Sequence, residues 1–313
     1  MSPGAEAGWQ DQTRAQMGTE VRVRLWHDDD IAGAAAIEAV FQEVDRIEKL
    51  MSTYIDDSRI SEINRDAATR PVVAGRELFD LIVRALDVSV LTRGAFDITY
   101  DSAGQYYDFR AGVRPDGETL KAALPSVNYH HVETLRPDFS IRFLQQGVRI
   151  NLGGIAKGYA VERGVAILRK LGIESAIVTA GGDSRLLGDR RGQPWVVGVR
   201  DPRVDGQLSL RIPLEDEAIS TSGDYERFFV EGDTRYHHIL VPATGKPAGT
   251  VRSATVIGPD GVLTDALSTS VFVMGVAEGL TLIAALPDYE AVVIDAAGQI
   301  FYSDGLQPPE PRP

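Results

Sequence analysis

The chain of 313 residues contains no cysteine, and this absence excludes several kinds of chemistry. Without a thiol there is no disulfide, no thiolate metal ligand, no cysteine nucleophile and no lipid attached through Cys. The sequence does not indicate whether the protein works in an oxidising or a reducing compartment, because a chain without cysteine can form no disulfide.

Long apolar runs are also missing. No stretch approaches the roughly 20 continuous apolar residues of a membrane helix. The first 18 residues lack the apolar segment of a secretory signal, so we expect residues 1–18 to form a disordered N-terminal tail. We therefore predict a protein without a transmembrane segment that is located in the cytoplasm.

Positive charge is scarce relative to negative charge. The chain has 32 basic and 45 acidic residues, a formal charge of −13. This balance argues against nucleic-acid binding, which requires a basic face, and against docking on anionic lipid by charge alone. A small anionic ligand would need local positive charge or a bound cation.

The apolar content of 43% is sufficient for a globular core, and its patterning alternates between helix and strand. Helical spacing runs from Ile31 to about Tyr54, over Arg76–Leu91 and from about Thr264. Strand patterns dominate after residue 175, and Phe96–Tyr100 also reads as extended. No repeat or linker is visible. We predict one interlocked α+β unit over residues 19–304, with residues 305–313 as a disordered tail.

A glycine-rich segment, Asn151-Leu-Gly-Gly-Ile-Ala-Lys-Gly-Tyr159, opens a predicted helix. Its glycines allow close backbone approach, and a helix N-terminus with Lys157 is a favourable place for a phosphate. The spacing of a Walker loop is absent. A glycine turn with close helix packing and a solvated lysine explains the segment equally well.

A second segment places Asp265 and Thr269 four residues apart, on one face of a helix. A carboxylate and a hydroxyl are hard oxygen ligands that suit Mg²⁺. On its own, this spacing more often reflects an acidic first turn and a threonine bonded back along its helix.

Two adjacent histidines, His237 and His238, precede a Pro-Ala-Thr-Gly turn. Neighbouring residues on a strand face opposite sides, so both cannot line one pocket. One of the two could carry a proton, but their spacing does not suit a metal pair.

Seven segments in order resemble the ApbE family, the FAD:protein FMN transferases. They are MSTYIDDSRISEIN (51–64), GAFDIT (94–99), NLGGIAKGYAVERG (151–164), TAGGD (179–183), ISTSGDYERF (219–228), YHHILVPATGKP (236–247) and TDALSTSVFVMG (264–275). Each is weak alone, but seven in register over roughly residues 20 to 290 are specific.

The resemblance implies an α+β fold with a flavin in a central cleft. It implies Mg²⁺-dependent cleavage of FAD, transfer of FMN to a Thr or Ser of a target protein, and release of AMP. Mg²⁺ would bridge pyrophosphate oxygens while the protein positions the acceptor. Two alternatives stay open: an FAD pyrophosphatase that uses water as the acceptor, and a non-catalytic flavin-binding protein.

The resemblance also implies roles for individual residues. Asp265, Thr269 and the carbonyl of Gly154 fall on Mg²⁺-ligand positions, with Ser268 as an additional contact. His238 falls on the position of a proton acceptor. The positions that contact the flavin or dinucleotide correspond to Met51, Ala95, Phe96, Asp97, Asn151, Lys157 and Ile239.

Three departures from the family pattern stand out. Asn151 and Val241 each occupy a position where the family usually has Asp. After Thr99 the family tends toward Val-Gly-Pro-Leu, whereas this chain continues Tyr100-Asp-Ser-Ala103.

Overall fold

The computed structural model describes residues 8–202, 204 and 206–306. The helices are α1 (Asp30–Met51), α2 (Arg59–Asp66), α3 (Arg76–Leu91), α4 (Asp101–Gly104), α5 (Gly117–Ala123), α6 (Ala156–Lys170), α7 (Gly261–Met274) and α8 (Val276–Ala284). The strands are β1 (Gly8–Gln16), β2 (Thr19–His27), β3 (Val72–Val73), β4 (Val132–Leu135), β5 (Ser140–Phe143), β6 (Ala176–Ala180), β7 (Asp183–Leu187), β8 (Trp195–Arg200), β9 (Leu208–Leu214), β10 (Ala218–Gly223), β11 (Phe228–Glu231), β12 (Thr234–His237), β13 (Leu240–Val241), β14 (Lys246–Pro247), β15 (Val251–Gly258), β16 (Glu290–Asp295) and β17 (Ile300–Tyr302).

The contacts between residues divide the chain into two compact units, where we predicted one. Unit 1 contains the described residues up to Lys49 together with Ile155–Thr221 and Ile257–Asp265. Unit 2 contains Leu50–Gly154, Ser222–Val256 and the described residues from Ala266 onward. The chain passes repeatedly from one unit to the other, so no single linker separates them, and composition along the sequence shows no boundary.

Unit 1 is built on antiparallel strands in the order β1-β2-β6-β7-β10. Val21, Val23 and Leu25 alternate along β2 with exposed residues and are fully buried, which is the pattern of a strand with one covered face. Helix α6 packs against β6 and β7, and its buried residues recur at helical spacing. The strands β8 and β9 form a separate antiparallel pair.

Unit 2 contains several small sheets and most of the short helices. Strands β3, β5 and β4 pair in that order, β15, β16 and β17 are neighbours in one sheet, and β11–β12 and β13–β14 are hairpins. Helix α3 buries Leu78, Ile82 and Ala85 on one face, as its spacing predicts. These mixed helices and strands confirm the predicted α+β class, whereas the central cleft stays a prediction.

The N-terminal prediction was wrong where the structure describes it. Residues 8–16 form β1, which pairs with β2 along its whole length instead of belonging to a disordered tail. Trp9 packs edge-on against Trp26 and Trp195, with ring centroids 5.6 and 5.3 Å apart. Residues 1–7 lie outside the described residues.

Two further predictions concern local conformation. Residues Ile98–Tyr100, predicted to be extended, form a 3₁₀ helix because the Asp97 side chain accepts hydrogen bonds at its start. At the C-terminus, Asp304–Leu306 forms a short 3₁₀ helix, so residues 305 and 306 are ordered. The rest of the predicted tail, residues 307–313, lies outside the described residues. No helix within the described part of the chain is both long and apolar enough to span a membrane.

Candidate active site

Lys157 lies in the first turn of α6, between two buried carboxylates of unit 1. Its Nζ is 2.5 Å from Asp183 Oδ2 and 3.4 Å from Asp265 Oδ1. Asp183 begins β7 and Asp265 lies in the first half of α7, and their side chains are only 1% and 2% exposed. The fold therefore brings together three charged groups that are far apart in sequence.

The charges in this group do not balance. Burial alone would lower the pKa of Lys157, but Asp183 and Asp265 outweigh it and raise that pKa, so the lysine stays charged. Burial and the nearby Asp183 raise the pKa of Asp265 to about 7. Asp183 Oδ1 is buried and has no hydrogen-bond partner. One ammonium thus faces two buried carboxyl groups, and either a proton on Asp265 or an additional cation would relieve the repulsion between them.

Gly158 explains how α6 approaches the start of α7. A Cβ added at Gly158 would lie 2.0 Å from the carbonyl oxygen of Gly261 and 2.7 Å from Cβ of Asp265. The Gly158 N–H donates to Asp265 Oδ2 at 2.9 Å. The structure therefore assigns this glycine to helix packing, where we also considered close approach of the backbone to a ligand.

In unit 2, Thr269 contacts the glycine-rich segment. A Cβ at Gly154 would lie 3.4 Å from Thr269 Oγ1 and 3.1 Å from the Phe96 ring. The Ser222 hydroxyl hydrogen-bonds with Thr269 Oγ1 at 3.1 Å and with Ser268 Oγ at 2.9 Å. Ser268 is fully buried. Gly154, Phe96 and Thr269 are thus neighbours, and Ser222, to which the sequence gave no role, lies beside them.

Asn151 belongs to a polar cluster in unit 2. Its Nδ2 donates to Asp101 Oδ1 at 3.2 Å and to Thr53 Oγ1 at 3.3 Å, while its Oδ1 accepts from the Gly153 N–H at 2.9 Å. Asp101 Oδ2 accepts from Arg149 Nε at 2.5 Å. Burial raises the pKa of Asp101. A carboxylate therefore does lie beside position 151, supplied by the segment after Thr99 that departs from the family pattern.

The predicted contacts in the 94–99 segment have different environments. Phe96 is buried, and Ala95 is half-buried. Asp97 Oδ1 accepts hydrogen bonds from the N–H and hydroxyl of Thr99, and its Oδ2 accepts from the Tyr129 N–H. Both carboxylate oxygens of Asp97 therefore hold the local turn, and a direct contact with the dinucleotide stays a prediction. Met51, the last residue of α1, is 4% exposed.

The two adjacent histidines differ in burial, and only His237 lies within strand β12. His237 is buried: its Nε2 bonds with the Ala248 carbonyl at 2.7 Å, and its Nδ1 accepts from the Ile239 N–H at 3.3 Å. Burial lowers the pKa of His237. His238 is half-buried, and its N–H donates to the Arg227 carbonyl at 3.1 Å. Since both ring nitrogens of His237 are occupied, His238 remains the candidate proton acceptor.

Sequence reasoning gave no role to Asp183, Asp101 or Ser222. Asp183 and Ser222 lie within segments that carried the resemblance. Asp183 also directly follows a strand pattern and two glycines, and this position could have indicated it as a candidate site residue. Asp101 gave no signal, because its importance depends on Asn151 and Arg149, which are about 50 residues away.

The comparisons with known proteins show the family of this chain. The sequence model of the ApbE family matches residues 17–293. The chain belongs to the ApbE family. A FAD:protein FMN transferase of Treponema pallidum is 33% identical, with 97% of this chain and 90% of the relative covered. A FAD:protein FMN transferase of Vibrio cholerae is 31% identical, with 93% of this chain and 90% of the relative covered.

Solved ApbE structures show the same fold. The crystal structure of the ApbE protein of Thermotoga maritima has a TM-score of 0.89 and 34% identity, covering 95% of this chain and 98% of that one. The flavin transferase ApbE of V. cholerae has a TM-score of 0.84 and 28% identity with the same coverage. The α+β fold of this ApbE protein is therefore that of the flavin transferases.

Proposed function

We propose that this ApbE protein is a FAD:protein FMN transferase. FAD is the donor, and the acceptor is a Thr or Ser hydroxyl of a target protein. The acceptor oxygen forms a bond to the FMN phosphorus, and the bond from that phosphorus to the bridging pyrophosphate oxygen breaks. AMP leaves with the bridging oxygen, and the hydroxyl proton passes to the imidazole of His238. The observation that carries the proposal is the buried group of Lys157, Asp183 and Asp265 in a chain with these relatives.

The residues of the site fit a magnesium ion. Asp265 and Thr269 lie one turn apart on α7, and Thr269 contacts Gly154, whose carbonyl would be a third oxygen ligand. The described residues hold no cluster of three or more His, Asp or Glu side chains suited to a metal. In this proposal the Thr269 hydroxyl and the Gly154 carbonyl are the oxygen ligands beside Asp265. Bound Mg²⁺ would supply charge stabilisation at the pyrophosphate oxygens.

The other predicted residues have supporting roles in this proposal. The N-terminus of α6 would favour a phosphate group through its helix dipole and its remaining N–H groups. Lys157 is a proposed contact of the dinucleotide, although Asp183 and Asp265 already offset its charge. The proposed flavin and dinucleotide contacts are Met51, Ala95, Phe96, Asp97, Asn151 and Ile239.

The test is a transfer assay with FAD, Mg²⁺ and a peptide that carries a threonine acceptor. We expect flavinylated peptide by mass spectrometry and an equal amount of AMP. Asp265→Asn should lower the rate on the order of 100-fold, because it removes charge from the cation's ligand. Thr269→Val should also lower the rate, whereas Thr269→Ser keeps the hydroxyl and should retain most activity.

The control variant is Asp45→Asn, at a half-exposed position of α1. It should have the wild-type rate. Release of FMN and AMP without peptide modification would favour the pyrophosphatase instead, and an absence of turnover with any divalent ion would favour the non-catalytic flavin-binding protein.

A further inference from the structure

The two carboxylates around Lys157 do not share it equally. Asp183 Oδ2 is 2.5 Å from Nζ, a short charge-assisted hydrogen bond, whereas Asp265 Oδ1 is 3.4 Å away. The other oxygen of Asp265 accepts from the Gly158 N–H. Asp183 is therefore the nearer partner of the lysine, whereas Asp265 accepts hydrogen bonds from both Lys157 and the backbone.

The position of Asp183 is fixed by backbone on both sides. It pairs with Ala180 of β6 and with Ser220 of β10 at the start of β7. Gly182 precedes it, where a Cβ would lie 2.5 Å from the Thr221 carbonyl oxygen. A lysine side chain has four rotatable bonds, whereas this aspartate is short and enclosed. The carboxylate therefore determines where the ammonium lies.

We propose that Asp183 is a positioning residue that draws Lys157 toward itself and so weakens the hydrogen bond from Lys157 to Asp265. An ammonium fully bonded to Asp265 would compete with a divalent cation for the same oxygens, and the two positive charges would repel each other. By holding Lys157, Asp183 weakens the competition between the ammonium and the cation for the Asp265 carboxylate. This inference rests on the proposed function only in that Asp265 is taken as a cation ligand.

A purely structural role for Asp183 is the competing explanation. In that case, Asp183 only compensates the charge of a half-buried lysine, and its loss would reduce stability without a specific effect on metal binding. A double-mutant cycle separates the two explanations, because it measures whether the effect of Asp183 on the metal depends on Lys157.

The experiment measures Mn²⁺ binding by electron paramagnetic resonance, without FAD or acceptor, in wild type, Asp183→Asn, Lys157→Met and the double variant. We expect Asp183→Asn to weaken Mn²⁺ binding about tenfold more when Lys157 is present than when it is absent. Equal weakening in both backgrounds would overturn the proposal, because Asp183 would then act without the lysine. Thermal unfolding verifies that each variant is folded.

A second measurement uses the wild-type protein and does not depend on the folding of a variant. Lysine labelled with ¹⁵N at Nζ reports the hydrogen bonding of the Lys157 ammonium. We expect its resonance to stay protected from solvent exchange when Mg²⁺ is added, because Asp183 remains its partner. Loss of protection on addition of Mg²⁺ would show that the bond to Asp265, rather than the bond to Asp183, had protected the ammonium, and would contradict the proposal.

These results also separate this inference from the proposed function. A wild-type protein that binds no Mn²⁺ would contradict the proposed ligand set itself. If the wild-type protein binds Mn²⁺ and the effects of Asp183→Asn and Lys157→Met on that binding are additive, only the role of Asp183 is contradicted. This holds whatever the outcome of the transfer assay.

Discussion

Lys157 illustrates how a single residue acquires its role from neighbours that are distant in sequence. A positive charge in the first turn of a helix is opposed by the helix dipole, and partial burial adds a desolvation cost. Two carboxylates offset both effects, so the lysine stays charged where an isolated one would not be favoured. The sequence shows the lysine and the helix start, but not the aspartates that make the combination stable.

His237 provides a residue-scale prediction about pH. Because burial lowers its pKa below the usual 6.5, the unfolded chain takes up this proton at a higher pH than the folded chain. The stability that neutral His237 provides is therefore present above pH 6.5 and is lost as the pH falls below that value. When the pH is lowered from 7 to 5, the unfolding temperatures of wild type and of His237→Gln should both fall. We expect the decrease for wild type to be larger by about 2 °C. Circular dichroism melts at several pH values measure this difference, and parallel curves would contradict it.

At the scale of elements, apolar periodicity predicted helices and strands that have one buried face. Helix α3 has the predicted bounds, because its apolar residues repeat at helical spacing. Strand β1 was missed because it is an exposed strand at one end of its sheet, whose sequence GWQDQTRAQ shows no buried face. The 3₁₀ helix at Ile98–Tyr100 was missed because a side-chain cap, rather than apolar spacing, determines it.

The close approach of α6 and α7 gives a prediction at the element scale. An alanine in place of glycine within a helix is normally favourable by up to about 1 kcal/mol. At Gly158 the added Cβ would meet the Gly261 carbonyl oxygen at 2.0 Å, and overpacking of this kind costs about 1–3 kcal/mol. Because the steric cost exceeds the gain, we expect Gly158→Ala to lower the free energy of unfolding measured with urea.

Gly117 is the matched control for Gly158. It also lies in a helix, at the start of α5, but a Cβ added there would have nothing within 4 Å. Gly117→Ala should leave stability unchanged or raise it. If both substitutions changed the free energy of unfolding in the same direction, close packing of α6 on α7 would not be the reason for the glycine at position 158.

At the scale of the whole molecule, the order of the chain limits what sequence alone reveals. Each unit is assembled from three segments, so residues of one site come from opposite ends of the sequence. The seven segments that resemble ApbE proteins indicated Asp265, Thr269, Gly154 and Lys157 by position as candidates, and their roles stay predictions. Contacts such as those between Asp101 and Asn151, or between Asp183 and Lys157, required the folded structure.

The net charge of −13 leads to a prediction about FAD binding. FAD is an anion, and Lys157 is already balanced by carboxylates, so repulsion at long range should oppose binding. The screening length shortens from about 30 Å at about 10 mM salt to about 8 Å at about 150 mM salt. At constant Mg²⁺, we therefore expect FAD to bind more tightly as KCl is raised over this range, as measured by quenching of flavin fluorescence. Riboflavin, which has no phosphate charge, should bind equally at both salt concentrations. If salt instead weakened FAD binding, the local attraction of Lys157 and the α6 N-terminus would exceed the repulsion from the whole chain.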